Sequence, residues 1–225
     1  MSASRIKNIT CPKCGEAGEF IVYNSINTRE NPELAKKLKD MTLFEYKCPK
    51  CGAVVFVDYG LLYHDVEKGV MIYYVRNDAD AEKAEAIFRG KETDAADELK
   101  GRYIYRVVRS YRQLKEKIML FDENMDDRVM ELAKLLYLTK FQVEYPDLVP
   151  EIKESYVYGS EGEYQVAFRT KEGEISTNFN MQDYEDMDGR FEYLLKPIRR
   201  SGDIVVDQNW AMDLVHYAEP GSEEK

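Results

Sequence analysis

All four cysteines of the chain lie in two copies of one pentapeptide, Cys-Pro-Lys-Cys-Gly. The first copy begins at Cys11 and the second begins 37 residues later, at Cys48. Closely spaced thiols suit either metal binding or redox chemistry, but a redox dithiol motif normally occurs once, at the start of a helix. Because this motif occurs twice, we predict that Cys11, Cys14, Cys48 and Cys51 together bind one metal ion.

The chemistry of the repeated pentapeptide fits zinc. A structural zinc site takes four ligands in a tetrahedron, and a Cys-x2-Cys turn presents two thiolates from one tight loop. Gly15 and Gly52 follow the two pairs, and glycine readily adopts the positive φ that such a turn uses. Four sulfur ligands leave no open position for a substrate, so the sequence predicts a structural Zn²⁺ ion rather than a catalytic one.

The chain also resembles a known family, the CpXC domain, which is named for its two Cys-Pro-x-Cys pairs. The resemblance rests on the segments CPKCG, NPELAKKL, LFEYKCPKCG and LLYHDVEKGVMIYYV. It is close over residues 11–75, continues more loosely through RVVRSYRQLKEKIMLFDENMDDRVMELAKL, and does not extend to residues 141–225. It implies a zinc-ribbon-like module that binds metal through the four cysteines, and it implies no catalytic residue.

The hydrophobic pattern predicts an α+β fold in three parts. Residues 1–76 contain aromatic and β-branched runs, which indicate a zinc-ribbon-like β module with the short helix NPELAKKLKD inserted and Asn31 as its cap. Residues 77–140 are predicted to be a linker and helical region, with a connecting helix, a flexible crossing up to residue 100, and the amphipathic helix MDDRVMELAKLLYLTKF. Residues 141–225 are predicted to form an acidic α+β region with an antiparallel sheet and a helix.

Turn and cap signals refine this prediction. Ser160–Gly162 and Lys171–Gly173 separate three alternating runs, which is typical of a three-stranded antiparallel meander. A helix capped by Asn180 is predicted next, and DIVV is predicted to be a further strand. In the middle part, YIYRVVRS is predicted to be a strand that ends at Ser110, which then caps the helix YRQLKEKIMLF.

The composition and the N-terminal segment predict a cytoplasmic protein. The sequence has no run of eighteen apolar residues, and MSASRIKNIT lacks the apolar core of a secretion signal. Thiols stay reduced in the cytoplasm, so paired cysteines there are expected to bind metal rather than to form disulfides. We therefore expect no association with a membrane.

The net charge of −10 comes mainly from the last third of the chain. Residues 141–225 carry 8 Lys and Arg against 19 Asp and Glu, whereas residues 1–76 carry 11 against 9. Because acidic surfaces repel phosphates, a nucleic-acid-associated zinc ribbon, our first alternative, would use Lys13, Lys50 and the stretch RYIYRVVRSYRQLKEK. A simpler role for that basic stretch is to pair with carboxylates of the acidic third.

The second alternative is an uncharacterised enzyme with a site outside the zinc. Its candidate residues are His64, His216 and the acidic cluster Asp183–Asp188, since imidazoles act as bases and clustered carboxylates bind magnesium. Acidic residues are also common in the first turn of a helix, because the helix dipole is positive at that end. No glycine-rich phosphate loop, Gly-x-Ser-x-Gly elbow or His-Glu-x-x-His helix is present. The sequence therefore favours a protein that is not an enzyme.

The leading hypothesis is a zinc-binding interaction or regulatory module. In this hypothesis the metal fixes two loops, so that the neighbouring strands present a binding surface to a protein partner. The seventeen tyrosines are consistent with such a surface, because tyrosine combines an apolar ring with a polar hydroxyl.

Overall fold

A computed structural model describes most of the chain, namely residues 4–94, 102–147, 152–196 and 202–218. The chain divides into two compact units, Met1–Lys115 and Glu116–Lys225. The order of the elements confirms the predicted α+β class, with strands first, helices in the middle, and an antiparallel sheet with a helix towards the C-terminus. The division into three parts at residues 76 and 140 stays a prediction.

The described part of the first unit contains two hairpins and a four-stranded sheet. Its strands are β1 Ser4–Thr10, β2 Ala17–Tyr23, β3 Ser25–Asn27, β4 Glu45–Lys47, β5 Val54–Phe56, β6 Leu61–Asp65, β7 Val70–Tyr74 and β8 Ile104–Val108. β1 pairs antiparallel with β2, and β4 pairs antiparallel with β5. The sheet has the order β3-β6-β7-β8, in which β6 and β7 are antiparallel and the two outer pairs are parallel.

The helical segments that begin in this unit are α1 Pro32–Lys39, a 3₁₀ turn Thr42–Phe44, α2 Asp78–Asp94 and α3 Tyr111–Asp122. α2 is the predicted connecting helix, and most of the predicted crossing after it falls outside the described residues. β8 and α3 confirm the predicted strand and helix around Ser110, whose Oγ accepts a hydrogen bond from the N–H of Gln113 at 3.1 Å.

The predicted cap of α1 is wrong. Asn31 occupies the N-cap position, but its side chain makes no cap hydrogen bond, and its backbone angles of φ −136° and ψ 65° are not those of a usual capping residue. The side chain of Asn27 stabilises the preceding turn instead, because its Oδ1 accepts from the N–H groups of Arg29 and Glu30 at 3.0 and 3.3 Å.

A cluster of aromatic rings joins the elements of the first unit. Phe44, at the end of the 3₁₀ turn, is fully buried, and its ring centroid lies 5.3 Å from Phe56, 4.9 Å from Tyr59 and 6.4 Å from Tyr74. Phe20 of β2 extends the cluster, since its ring lies 6.0 Å from that of Tyr59. These contacts connect both hairpins to the four-stranded sheet through one apolar core.

The second unit combines a meander with helices. Its described elements, apart from the end of α3, are α4 Asp127–Glu144, β9 Glu154–Ser160, β10 Glu163–Arg169, β11 Glu174–Phe179, α5 Met181–Leu195 and α6 Gln208–Ala218. β9, β10 and β11 form the predicted antiparallel meander. The Asn180 side chain caps α5 as predicted, by accepting from the N–H of Gln182 at 3.1 Å.

The predicted DIVV strand is wrong, because residues 203–206 adopt no regular structure and are followed by α6. Ile204 and Val206 are buried, so the alternating pattern that indicated a strand reflects burial of an irregular segment. Asp207 then starts the helix, since its Oδ1 accepts from the N–H of Trp210 at 3.0 Å. The sequence analysis did not predict α6.

α4 is buried on two sides. Met130 and Ala133 belong to the apolar cluster that includes the inner face of the meander. Val129 and Leu132 belong to a second cluster, together with Phe191 of α5 and residues of α6. Neither α4 nor any other helix of the described segments combines the length and apolar character needed to cross a lipid bilayer.

Five charged side chains are buried together in the second unit. Lys134 Nζ lies 2.9 Å from Glu116 Oε1 and 2.9 Å from Glu131 Oε1, and Lys117 Nζ lies 3.1 Å from both Glu131 Oε1 and Asp127 Oδ2. No side chain of the five is more than 4% exposed. Burial disfavours the charge of Lys134, but the attraction and hydrogen bonds of Glu116 and Glu131 outweigh this effect and raise the pKa of Lys134.

Removing one cation from this cluster is expected to destabilise the second unit strongly. We predict that Lys134→Met lowers the free energy of unfolding by about 3–5 kcal/mol, because it leaves buried carboxylates without their partner. The matched control is Lys140→Met, which removes a lysine that is 57% exposed and should cost less than about 1 kcal/mol. Urea denaturation followed by the fluorescence of Trp210 measures both changes, and equal effects would contradict the prediction.

Candidate metal centre

Two hairpin turns of the same geometry carry the four cysteines. Cys11 and Cys14 lie between β1 and β2, and Cys48 and Cys51 lie between β4 and β5. In each turn, the N–H of the first cysteine donates to the carbonyl five residues later at 2.8 Å. The N–H of the glycine donates back to the carbonyl of the first cysteine at 2.9 Å in both turns. The repeated pentapeptide thus folds twice into the same local structure.

Each turn requires a glycine because of its positive φ angle, not because space for a side chain is lacking. Gly15 has a φ of +73° and Gly52 a φ of +70°, a region that L-residues with a side chain rarely adopt. A Cβ added at either position would meet no atom within 4 Å. The conformation therefore explains why each pair of cysteines is followed by glycine.

The four sulfur atoms converge on one point. The Sγ atoms of Cys11 and Cys51 are 3.7 Å apart, those of Cys14 and Cys48 are 3.6 Å apart, and all four lie within 4.8 Å of one another. A tetrahedral site with metal–sulfur bonds of about 2.3 Å has sulfur–sulfur edges of about 3.8 Å. A disulfide would need about 2.05 Å, so the four thiols are free and placed to bind a metal ion.

The environment of the sulfurs differs between positions. Cys11 and Cys48 are buried, whereas Cys14 and Cys51 are partly exposed. Burial raises the pKa of the Cys11 thiol, but hydrogen bonds from the backbone of Lys13 and Cys14 lower it, and the result is a pKa of about 7. The pKa of Cys14 is raised to about 12, because burial and the other three sulfurs outweigh a backbone hydrogen bond from Glu16. A divalent cation would favour the thiolate form of all four.

Nearby charges are already partly paired. Lys50 Nζ lies 2.8 Å from Glu16 Oε2, so this pair connects the loop of the second hairpin with that of the first. Lys50 is 62% exposed and Glu16 40% exposed, and such a surface pair contributes at most about 1 kcal/mol. The surroundings of the cluster are therefore not strongly basic.

Sequence analysis did not find a tyrosine and a glycine that pack beside the four cysteines. Tyr46 of β4 is buried, and its hydroxyl makes no hydrogen bond to any described residue. Burial and the negative charge of the neighbouring Cys48, Cys11 and Cys14 raise the pKa of Tyr46. The hydroxyl end of the Tyr46 ring lies against Gly18, where an added Cβ would come within 2.1 Å of the hydroxyl oxygen.

Two of the enzyme candidates, His64 and Asp183, make hydrogen bonds within their own units. His64 lies on β6, its Nε2 is 3.1 Å from the hydroxyl of Tyr103, and burial lowers its pKa. His216 is exposed on α6. Asp183 accepts a hydrogen bond from the hydroxyl of Tyr137 at 2.7 Å, which anchors the start of α5 to α4.

The acidic cluster resembles a solvated helix start. Asp183 also pairs with Lys140 at 3.4 Å, and Asp186 accepts from the side-chain amide of Gln182 at 3.0 Å. Asp186 and Asp188 are exposed. None of these acids belongs to a group of metal-ligating side chains among the described residues, where only the cysteines form such a group.

The basic stretch does not form one continuous cationic surface. Arg106 and Lys117 are fully buried, Arg109 forms an ion pair with Asp78, and the guanidinium of Arg112 lies over the ring of Tyr111. The stretch divides into β8 and α3, as predicted, and this scatters its cations. The described partners of Lys117 lie in α4, not in residues 141–225.

The contact between Tyr46 and Gly18 predicts a specific steric effect. We expect Gly18→Ala to lower the melting temperature of the protein, since overpacking a buried ring typically costs about 1–3 kcal/mol. Adding Tyr46→Phe should restore part of the loss, because it removes the hydroxyl that clashes and that makes no hydrogen bond. Gly90→Ala is the control, since nothing lies within 4 Å of its Cβ in α2. The prediction would be contradicted if Gly90→Ala lowered the melting temperature as much as Gly18→Ala does. It would also be contradicted if adding Tyr46→Phe to Gly18→Ala restored none of the lost stability.

Comparison with known proteins agrees with the geometry of the cysteines. The family model described as CpXC protein matches residues 9–134, which is more than half of the chain and includes both hairpin turns. Neither a curated protein nor a solved structure shows significant similarity to the chain. The match with the family model includes all four cysteines and ends within α4, so the chain belongs to the CpXC family.

Proposed function

We propose that Cys11, Cys14, Cys48 and Cys51 bind one Zn²⁺ ion as a closed structural site. The observation that carries this proposal is the convergence of four thiols at separations close to the edges of a tetrahedron. Four sulfur ligands select zinc or iron, and zinc is the common occupant of two Cys-x2-Cys turns. All four positions are taken by protein ligands, so the metal holds the two hairpins together and activates no substrate.

We further propose that the module held by zinc binds a protein partner through its hairpins. Ile6 and Ile21 are directly opposite each other on β1 and β2, and they are 65% and 49% exposed. On the other hairpin, Val54 and Phe56 of β5 are 58% and 41% exposed. Exposed apolar side chains on short strands are typical of an interaction surface, because their burial by a partner is favourable.

The two alternatives receive less support. A nucleic-acid surface needs a continuous row of exposed cations, whereas Arg106 and Lys117 are buried and Arg109 and Lys50 are paired. An enzyme needs convergent polar groups, whereas His64 and Asp183 are engaged in structural hydrogen bonds.

Metal analysis tests the zinc site. Protein purified without added metal is expected to contain one zinc and no iron per chain by elemental analysis. Cys48→Ser should lose most of the metal, whereas Lys13→Ser, an exposed position in the first turn, should keep it. Removing zinc with a chelator should abolish the hydrogen-exchange protection of β1, β2, β4 and β5, because structural zinc contributes about as much free energy as the whole stability of a small domain. Full protection after complete metal removal would contradict the structural role.

Affinity purification from native extract tests the interaction surface. A protein that co-purifies with the wild-type chain should be lost with the double variant Ile6→Asp, Ile21→Asp, because charges on this face prevent its burial. Ile87→Asp is the matched control, since Ile87 is 51% exposed on α2 in the same unit. The variants must retain zinc for the comparison to hold. If the wild type, the double variant and Ile87→Asp all recovered the partner equally, Ile6 and Ile21 would not belong to the binding surface.

A further inference from the structure

The second unit has an apolar groove between α4, α5 and α6 with a volume of about 430 Å³. Leu132 and Phe191 form its buried floor. Leu136 of α4, Met187 of α5, and Met212 and Val215 of α6 line its sides. Most of these residues follow residue 134, where the match with the family model ends, so the groove belongs largely to the part of the chain outside the family match.

Several apolar side chains that line the groove remain partly exposed to solvent. Met212 is 50% exposed, and Leu136, Met187 and Val215 are partly exposed. Covering such surface is favourable by about 25 cal/mol per Å² of apolar area. Methionine adapts its shape to different apolar partners, and a groove between helices commonly accepts an amphipathic helix. The groove is therefore suited to bind a row of apolar side chains from another helix.

The charges next to the groove indicate the sign of the partner. Asp186 and Asp188 are the neighbours of Met187 in α5, and Asp213 follows Met212 in α6. Adjacent helical positions differ by about 100° around the axis, so these acids flank the groove and do not line it. All three are exposed, and none forms an ion pair with a described residue.

Among the described residues that line the groove, Arg190 and His216 are basic. Arg190 lines the groove, and its guanidinium lies 5.7 Å from the centre of the Phe191 ring. The three carboxylates outnumber it, and the surrounding third of the chain has a net charge of −11. Membranes and nucleic acids present anionic surfaces, so the acidic surroundings disfavour both and favour a basic protein segment.

We propose that this groove binds a basic amphipathic helix of a partner protein. Apolar side chains of that helix, spaced three and four residues apart, occupy the groove, and its lysines or arginines face Asp186, Asp188 and Asp213. This proposal concerns a second surface, and it does not rest on the zinc site or on the hairpin surface.

A designed peptide tests the proposal with the full-length chain. The probe is a fluorescein-labelled 18-residue peptide of leucine and lysine, with leucine at positions i, i+3, i+4 and i+7 of each repeat. Fluorescence anisotropy at physiological salt should show binding that Met212→Asp weakens by about tenfold or more, the size of effect expected for a central apolar contact. Tyr193→Asp is the matched control, because Tyr193 is 64% exposed on α5 and does not line the groove.

The two variants separate groove binding from general attraction. Each adds one negative charge, so unspecific attraction to lysine would strengthen binding equally in both, whereas binding in the groove is weakened only by Met212→Asp. Circular dichroism checks that Met212→Asp is folded, and Met212→Gln gives the same comparison if it is not. Equal binding by both variants, or equal affinity for a peptide with glutamate in place of lysine, would overturn the proposal. A dimer in light scattering that Met212→Asp dissociates would also overturn it, by identifying a second copy as the occupant.

Discussion

The convergence of four sulfur atoms from two hairpins is the contact on which the first unit most depends. β1 with β2, and β4 with β5, are both two-stranded sheets, and isolated hairpins of this kind are at best marginally stable in water. The turns bring two sulfurs each to the same point, with Cys11 and Cys51 only 3.7 Å apart. A cation bound at this point would connect segments that are 37 residues apart. The aromatic cluster around Phe44 connects the hairpins to the sheet.

In the second unit, a cluster of buried charges connects elements that are distant in the sequence. Lys134 and Lys117 are surrounded by three carboxylates, and each hydrogen bond in this cluster compensates part of the cost of burial. Such a cluster tolerates few changes of position, because a displaced partner leaves an uncompensated charge in a medium of low dielectric constant. It therefore fixes α4 relative to α3 and to β9, where the N–H of Val157 donates to Glu116 at 2.7 Å.

Several polar residues that could serve catalysis or nucleic-acid binding are held in structural contacts. His64, Asp183, Arg106 and Lys117 carry the chemistry that catalysis or nucleic-acid binding would use, yet each is buried or held by a structural contact. Apolar side chains are exposed at two places among the described residues: the isoleucines of the first hairpin and the groove between α4, α5 and α6. A closed metal site together with uncovered apolar surface is the combination expected of a binding module, and this is the physical basis of our proposals.

The sequence by itself determined the features that depend on local geometry. The spacing of the cysteines, the glycine after each pair, the Asn180 cap and the meander turns all follow from interactions within a few residues, and the structure agrees with each. Only the tertiary structure decided which charged residues of α3 and α4 are buried, that Tyr46 packs on Gly18, and that residues 203–206 are irregular rather than a strand. These features depend on contacts between residues far apart in the chain, and one sequence does not specify which distant groups meet.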